Sequence, residues 1–231
     1  MFIVVEIGVN WDGDFVLVRE MMEKAKEFGC DAVKFQSFNE EQVKEHPEFV
    51  RLMKSSISKN NIKKINDISK EIEIEWFCTP MYEDAVDLLD PYVTRFKIRE
   101  KDGKEILKNN LSKLIEKIMC TKKEIIISSN SSPKECQFFN NSKFKWLYCE
   151  PKYRCELSEL NFKNMKDFNG FSNHTANAIA PITAAILGAE IIELHITSNK
   201  NINFIDNNVS FDYNELNNLI KQLKLIEKIK R

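Results

Sequence analysis

The chain has 231 residues and 43% hydrophobic content, enough for one large domain or two small ones around a sizeable core. Its 34 basic and 35 acidic residues leave a net charge of −1, which offers no electrostatic footprint for nucleic acid or for an anionic membrane surface. The six cysteines show no CxxC pair and no regular spacing, so they read as reduced thiols of a cytoplasmic protein rather than as a disulfide frame.

The chain opens on MFIVVEIGVN, which lacks the basic start and cleavage site of a signal peptide and reads as a first strand. Apolar and β-branched runs predict further strands at Ala32–Phe38, Glu75–Thr79, Arg95–Arg99, Glu124–Ser128, Phe144–Cys149, Gly170–Asn173 and Ile191–Thr197. Helical spacing separates them. Val18, Met21, Met22, Ala25 and Phe28 mark a first helix that ends near Gly29. Two helical stretches, near Glu48–Met53 and Ile62–Ile72, precede the third strand. Ile106 to Ile118 predicts one helix, Asn177–Leu187 a well-buried helix apolar nearly all round, and Leu216 to Ile226 the last. No apolar run is long enough to span a membrane, and no linker marks a second domain.

Strands alternating with helices predict a compact (β/α)8 TIM barrel occupying residues 1–231 as one domain. The segment SSPKECQFFNNS after the fifth strand is short where a full helix is expected. A doubly wound open sheet is the structural alternative, and no glycine-rich phosphate loop supports it.

Barrel strands point alternate residues inward, and these strands carry polar residues at matching parity. Glu6 and Asn10 lie in the first, Lys34 and Gln36 in the second, Lys97 and Arg99 in the fourth. Ser172 and His174 lie in the seventh, Glu193, His195 and Thr197 in the eighth, and Thr79 and Ser128 end the third and fifth. Any one of these has a bland explanation. A lone Lys snorkels to water, and a lone buried His is more often a hydrogen-bonded core residue than a ligand. Jointly they would cost several kcal/mol to bury unless they are paired or bind something. His46, among charges before a proline, reads as a surface residue.

On neighbouring strands His174 and His195 can approach one ion. Two imidazoles with open positions suit a catalytic divalent metal in an oxygen-rich site, manganese or a similar ion, better than a three-ligand zinc site. Lys34, Lys97, Thr79, Ser128 and Ser172 supply cationic and hydroxyl donors for a phosphate or carboxylate. A metal beside an anion pocket points to chemistry on a small phosphorylated or carboxylated substrate.

At these residues the sequence resembles the sialic acid synthase (N-acetylneuraminate synthase) family. The matching segments, in order, are EIGVNWDG (Glu6 to Gly13), GCDAVKFQ (Gly29 to Gln36), CTPM, FKI, WLYC with Tyr153, SNHT, and GAEIIELHIT (Gly188 to Thr197), followed by Asp206 and Ser210. The resemblance implies metal-dependent condensation of phosphoenolpyruvate with an N-acylated amino sugar to a nine-carbon 2-keto acid. It also implies His174 and His195 as ligands of Mn2+, with Mg2+ or Co2+ as alternatives. Glu6 and Glu193 resemble carboxylates that contact the sugar and move its protons. Lys34, Thr79, Lys97, Ser128, Tyr153 and Ser172 resemble the phosphoenolpyruvate-binding set, and Gln36 and Asp206 the lining of the sugar side.

The chain departs from the family pattern at Trp11, which replaces a histidine, at Asn173, which replaces an aspartate, and at SSNS in the fifth strand. Pro151 and Arg154 flank Tyr153 in place of family residues, and Glu100 stands near a family serine on the phosphate side. A carboxylate there weakens phosphate binding unless it points away or Arg99 compensates. The family continues into a small antifreeze-protein-like domain that reaches the partner subunit's sugar site. The resemblance therefore raises the expectation of a homodimer, or of another chain supplying that domain. A non-catalytic or substrate-shifted barrel is the alternative expectation.

Overall fold

A computed structural model of the chain describes residues 1–230. Eight parallel strands close in sequence order into a barrel: β1 (Phe2–Gly8), β2 (Ala32–Ser37), β3 (Glu75–Pro80), β4 (Arg95–Ile98), β5 (Glu124–Ser129), β6 (Phe144–Cys149), β7 (Gly170–Ser172) and β8 (Ile191–His195). The closing seam sets Phe2 against Ile191 and Glu6 against His195. On the other side of β1, Glu6 pairs with Lys34, and the register shifts between Glu6 and Gly8. Gly8 has φ of +53°, and a Cβ there would lie 3.1 Å from the Glu6 carboxyl, so a side chain at this kink would crowd the group that the strand presents to the barrel.

The helices pack outside. α1 (Phe15–Phe28) starts at Asp14, whose carboxylate accepts from the Val16 and Leu17 amides, and stops at Gly29 in the left-handed conformation. Its buried face is Val18, Met21, Met22 and Ala25, as the spacing requires. Between β2 and β3 lie α2 (Glu40–Val43), α3 (Phe49–Ser55) and α4 (Ile62–Ile72). α5 (Glu83–Leu89) follows β3; α6 (Glu100–Leu107) and α7 (Lys113–Cys120) follow β4; α8 (Ile179–Ile186) and α9 (Tyr213–Ile229) complete the ring. No helix among the described residues is long and apolar enough to cross a membrane.

Three expectations change. The single helix predicted from Ile106 to Ile118 is two, because Asn109 turns the chain with φ of +56° and Ser112 caps a new start at Lys113, its hydroxyl accepting from the Ile115 amide. α8 is not buried all round: Ala180, Pro181, Ala184 and Ala185 face inward, while Ile179 and Ile186 are 51% and 60% exposed. With Thr183 as its one polar residue, this helix carries little periodic signal to tell its two faces apart. Finally, no α-helix follows β5 or β6. Turns fill the first connection, and two short 3-10 segments, Leu157–Glu159 and Phe162–Asp167, lie in the second. Aromatic rings cover the barrel there instead. Phe138 lies 5.3 Å from Phe144, and Phe162 lies 5.6 Å from Tyr148 and 5.2 Å from Phe171.

Candidate active site

The carboxyl ends of the strands converge on a cavity of about 230 Å³. Its wall includes Glu6, Lys34, Gln36, Thr79, Lys97, Ser128, Tyr153, Ser172, His174, Glu193 and His195, so eleven residues singled out from the sequence meet in one place. Asp206 stands just behind that wall, its Oδ2 3.6 Å from His195 Nδ1.

Neighbouring strands set up a continuous polar network. Gln36 donates to Glu6 Oε1 at 2.8 Å, and Glu6 Oε2 lies 2.9 Å from Lys34 Nζ. The Lys34 ammonium donates to the Thr79 hydroxyl at 3.3 Å and lies 3.9 Å from Glu193 Oε2. On the far side of Glu193, Ser172 donates to Oε1 at 2.7 Å and Lys97 Nζ lies 3.6 Å away. Lys97 in turn donates to the Ser128 hydroxyl at 2.6 Å. Two ammoniums and two carboxylates thus lie buried together, and their pairing offsets much of the desolvation cost that each would carry alone.

The two carboxyls are not equivalent. Burial pushes both up. At Glu193 the Lys34 and Lys97 ammoniums and the Ser172 hydroxyl outweigh it and hold the group down at about 2. At Glu6 burial prevails over Lys34, and repulsion from Glu193 adds to it, so this carboxyl is raised. Glu193 is therefore a fixed negative charge, and Glu6 is the one of the two that takes up a proton more readily. Burial lowers Lys97, whereas at Lys34 the two carboxylates overcome burial and keep it raised.

At the other end of the cavity the His174 and His195 rings meet edge to face with centroids 5.5 Å apart, and Tyr153 lies 4.2 Å from the first ring and 5.7 Å from the second. His174 Nδ1–H donates to the Glu150 carbonyl at 2.8 Å, which leaves Nε2 free to ligate. His195 Nδ1 is buried without a hydrogen bond. Burial lowers His174, and burial with His174 and Lys34 lowers His195 further, so both rings are held in the neutral form that binds metal. Asp206 is pushed up to about 7 by burial and by Glu6. Two neutral imidazoles and a nearby carboxyl fit a divalent ion. Among the described residues no three His, Cys, Asp or Glu side chains form a ready-made cage, so an ion held here would draw further ligands from substrate or water.

The remaining wall comes from Met81, Arg99, Glu100, Lys101, Cys149 and Pro151. Of these, Met81, Lys101 and Cys149 carry no sequence signal beyond lying at or just past a strand's carboxyl end. Glu100 is the first residue of α6 and nearly buried, with Oε1 3.2 Å from Lys104. Arg99 is held by Asp102 at 2.6 Å. Trp11 is core: fully buried, it donates to the Ser55 carbonyl at 3.0 Å and packs on Phe15 and Phe35. Asn173 braces its own turn by donating to the Thr175 carbonyl. His46 is exposed.

A closed parallel barrel whose strand ends gather buried lysines, carboxylates and a histidine pair around one cavity has its polar groups on the face where barrel enzymes place their chemistry. Residues 21–231 match the NeuB family, and the chain belongs to it. Members of that family are phosphoenolpyruvate-dependent synthases of nonulosonic acids and use a divalent metal. The chain is 30% identical over 246 residues to an uncharacterized protein of Methanocaldococcus jannaschii, covering 99% of this chain and 71% of that protein. It is 28% identical over 261 residues to the N,N'-diacetyllegionaminic acid synthase of Legionella pneumophila, covering 99% and 72%. The crystal structure of N-acetylneuraminic acid (sialic acid) synthetase from Leptospira borgpetersenii in complex with citrate superposes with a TM-score of 0.86 at 27% identity, over 99% of this chain and 84% of that one.

Proposed function

We propose that this chain condenses phosphoenolpyruvate with the open-chain aldehyde of an N-acylated amino sugar, N-acetylmannosamine or a close relative, to give a nine-carbon 2-keto sugar acid and phosphate. One observation carries the reading: the Lys34 and Lys97 ammoniums and the His174–His195 pair open into the same cavity, so an anion and an aldehyde can meet there. A divalent ion on His174 and His195, manganese by preference, would polarise the sugar's carbonyl oxygen.

The chain's own groups divide the remaining work. Lys34 and Lys97 neutralise the phosphate and carboxylate of phosphoenolpyruvate, with Thr79, Ser128, Ser172 and Tyr153 as hydroxyl donors. Glu193 fixes both ammoniums, Gln36 faces the sugar, and Asp206 acts on the sugar side from behind His195. C3 of phosphoenolpyruvate forms the new bond to the aldehyde carbon, water adds at C2, and the adduct loses phosphate. Glu6 is placed to carry a proton between the attacking water and the sugar oxygen. Incubation with Mn2+, phosphoenolpyruvate and a panel of N-acyl amino sugars, following phosphate and 2-keto acid together, tests the reading; no product with any sugar overturns it.

Glu100 favours a second reading. A carboxylate on the phosphate side suits a barrel whose substrate has shifted away from phosphoenolpyruvate, or one that binds without turnover. Titration with metal and then with phosphoenolpyruvate separates the two: both bind a synthase, and only metal binds a barrel that has lost phosphoenolpyruvate.

A further inference from the structure

The segment from Ile196 to Asp212, which carries Asp206 to His195, has little regular structure of its own: one 3-10 turn at Asn207–Val209 and a single bridge between Ile196 and Phe211. Local turns brace it, among them the Asn207 amide on the Phe204 carbonyl and the Val209 amide on the Asp206 carbonyl, each at 3.2 Å, and Arg51 donates to the Asn203 carbonyl at 2.7 Å. The side-chain bond made to the Asp206 amide comes from the other end of the chain. Asn10, just past β1, is fully buried and spends its whole amide on this loop. Its Nδ2 donates to the Ile196 carbonyl at 2.8 Å and to the Ser210 hydroxyl at 2.9 Å, and its Oδ1 accepts from the Asp206 amide at 2.9 Å. Ser210 Oγ then donates to the Asp206 carbonyl at 2.7 Å, closing the bracket.

We infer that Asn10 is a positioning residue, acting through Asp206 to set where that carboxyl stands against His195. The inference rests on the proposed function in placing the sugar at the His195 end. The chemistry is specific to asparagine. Aspartate lacks the two donors, serine cannot span three partners, and glutamine is one methylene too long for a closed site. Because Asn10 reaches both ends of the loop and its middle, its loss frees Asp206 without touching Lys34, Lys97 or their hydroxyls. A displacement of about 1 Å at a positioned group is enough to cost two orders of magnitude in rate.

The test uses Asn10→Ala and Ser210→Ala with two readouts. In steady-state kinetics Asn10→Ala raises KM for the sugar about 10-fold or more and leaves KM for phosphoenolpyruvate within about twofold; Ser210→Ala, which removes one bond of the bracket, gives about a threefold rise. In hydrogen exchange on the free protein, the Asp206 amide exchanges at least about 10-fold faster in Asn10→Ala while the amides of β2 to β5 keep their rates. A general loss, with both KM values and the exchange of the whole barrel moving together, would make Asn10 a stability residue and overturn the inference. So would an unchanged Asp206 amide. If Asn10→Ala does not fold, Ser210→Ala carries both readouts. If the wild-type protein turns over no sugar, the proposed function fails by itself, and exchange confined to residues 196–212 still decides whether Asn10 holds the loop.

Discussion

Lys34 Nζ lies 2.9 Å from Glu6 Oε2, and both side chains are all but sealed from water. Removing one partner strands the other charge. Glu6→Gln or Lys34→Met is expected to cost about 3–5 kcal/mol, measured by denaturant unfolding, although Glu193 near Lys34 softens the first. The double variant Glu6→Gln/Lys34→Met should recover much of the loss, since neither charge is then left alone. Strict additivity of the two single costs would contradict the pair.

The histidines differ in what their loss leaves behind. His174→Ala orphans the Glu150 carbonyl and is expected to destabilise by about 1–3 kcal/mol, whereas His195 has no hydrogen-bond partner to orphan. Both replacements should abolish stoichiometric Mn2+ binding, measured by metal analysis of dialysed protein. His46→Ala, at an exposed site, should change neither quantity. Full metal content in either variant would remove the histidine pair from the metal site.

Glu100 puts a negative charge into the wall that also holds Lys97, Arg99 and Lys101. Two unit charges about 8 Å apart at an effective dielectric constant near 20 repel by roughly 2 kcal/mol, part of which the Lys104 ammonium, 3.2 Å from the Glu100 carboxylate, cancels. Glu100→Ser is therefore expected to tighten binding of phosphoenolpyruvate about 10-fold in a calorimetric titration, with the gain shrinking at high salt. An unchanged or weaker affinity would mean that the carboxylate points its charge away from the ligand.

The thiols should separate cleanly. Cys120 is exposed, while burial pushes Cys30 and Cys149 up to about 12 and Cys78 well above its ordinary value. Alkylation of the native protein at neutral pH should label Cys120 first and spare these three until denaturant is added, as mass spectrometry of peptides would report. Early labelling of Cys149, which lines the cavity but is itself buried, would show that this strand end opens to solvent.

The chemistry of the site was legible wherever it breaks a local rule. Lys34, Lys97, Glu193 and His195 stand in otherwise apolar strands, and a polar group there is expensive unless it is used. Met81 and Cys149 break no rule and so gave no signal, although they line the same cavity. Asn10 was visible as polar but not as an anchor, because its partners Ile196, Asp206 and Ser210 lie at the opposite end of the chain. Strand positions were legible from their β-branched runs and the stop of α1 from Gly29. The break at Asn109 was hidden because the apolar spacing continues across it on both sides.

The missing helices after β5 and β6 give the barrel a thick side and a thin one. Where a helix covers a strand, a shortened side chain can be met by a small slide of the helix, and several residues share the adjustment. α8 packs on β7, but over β6 and the seam between β6 and β7 the cover is a layer of rings, with Phe162 resting on both Tyr148 and Phe171. Little behind that layer can move in to replace it. Tolerance to substitution in this protein should therefore be lopsided: forgiving around α1, α4 and α9, and sharply limited at a few aromatic positions on the opposite wall, where one ring separates the sheet from water.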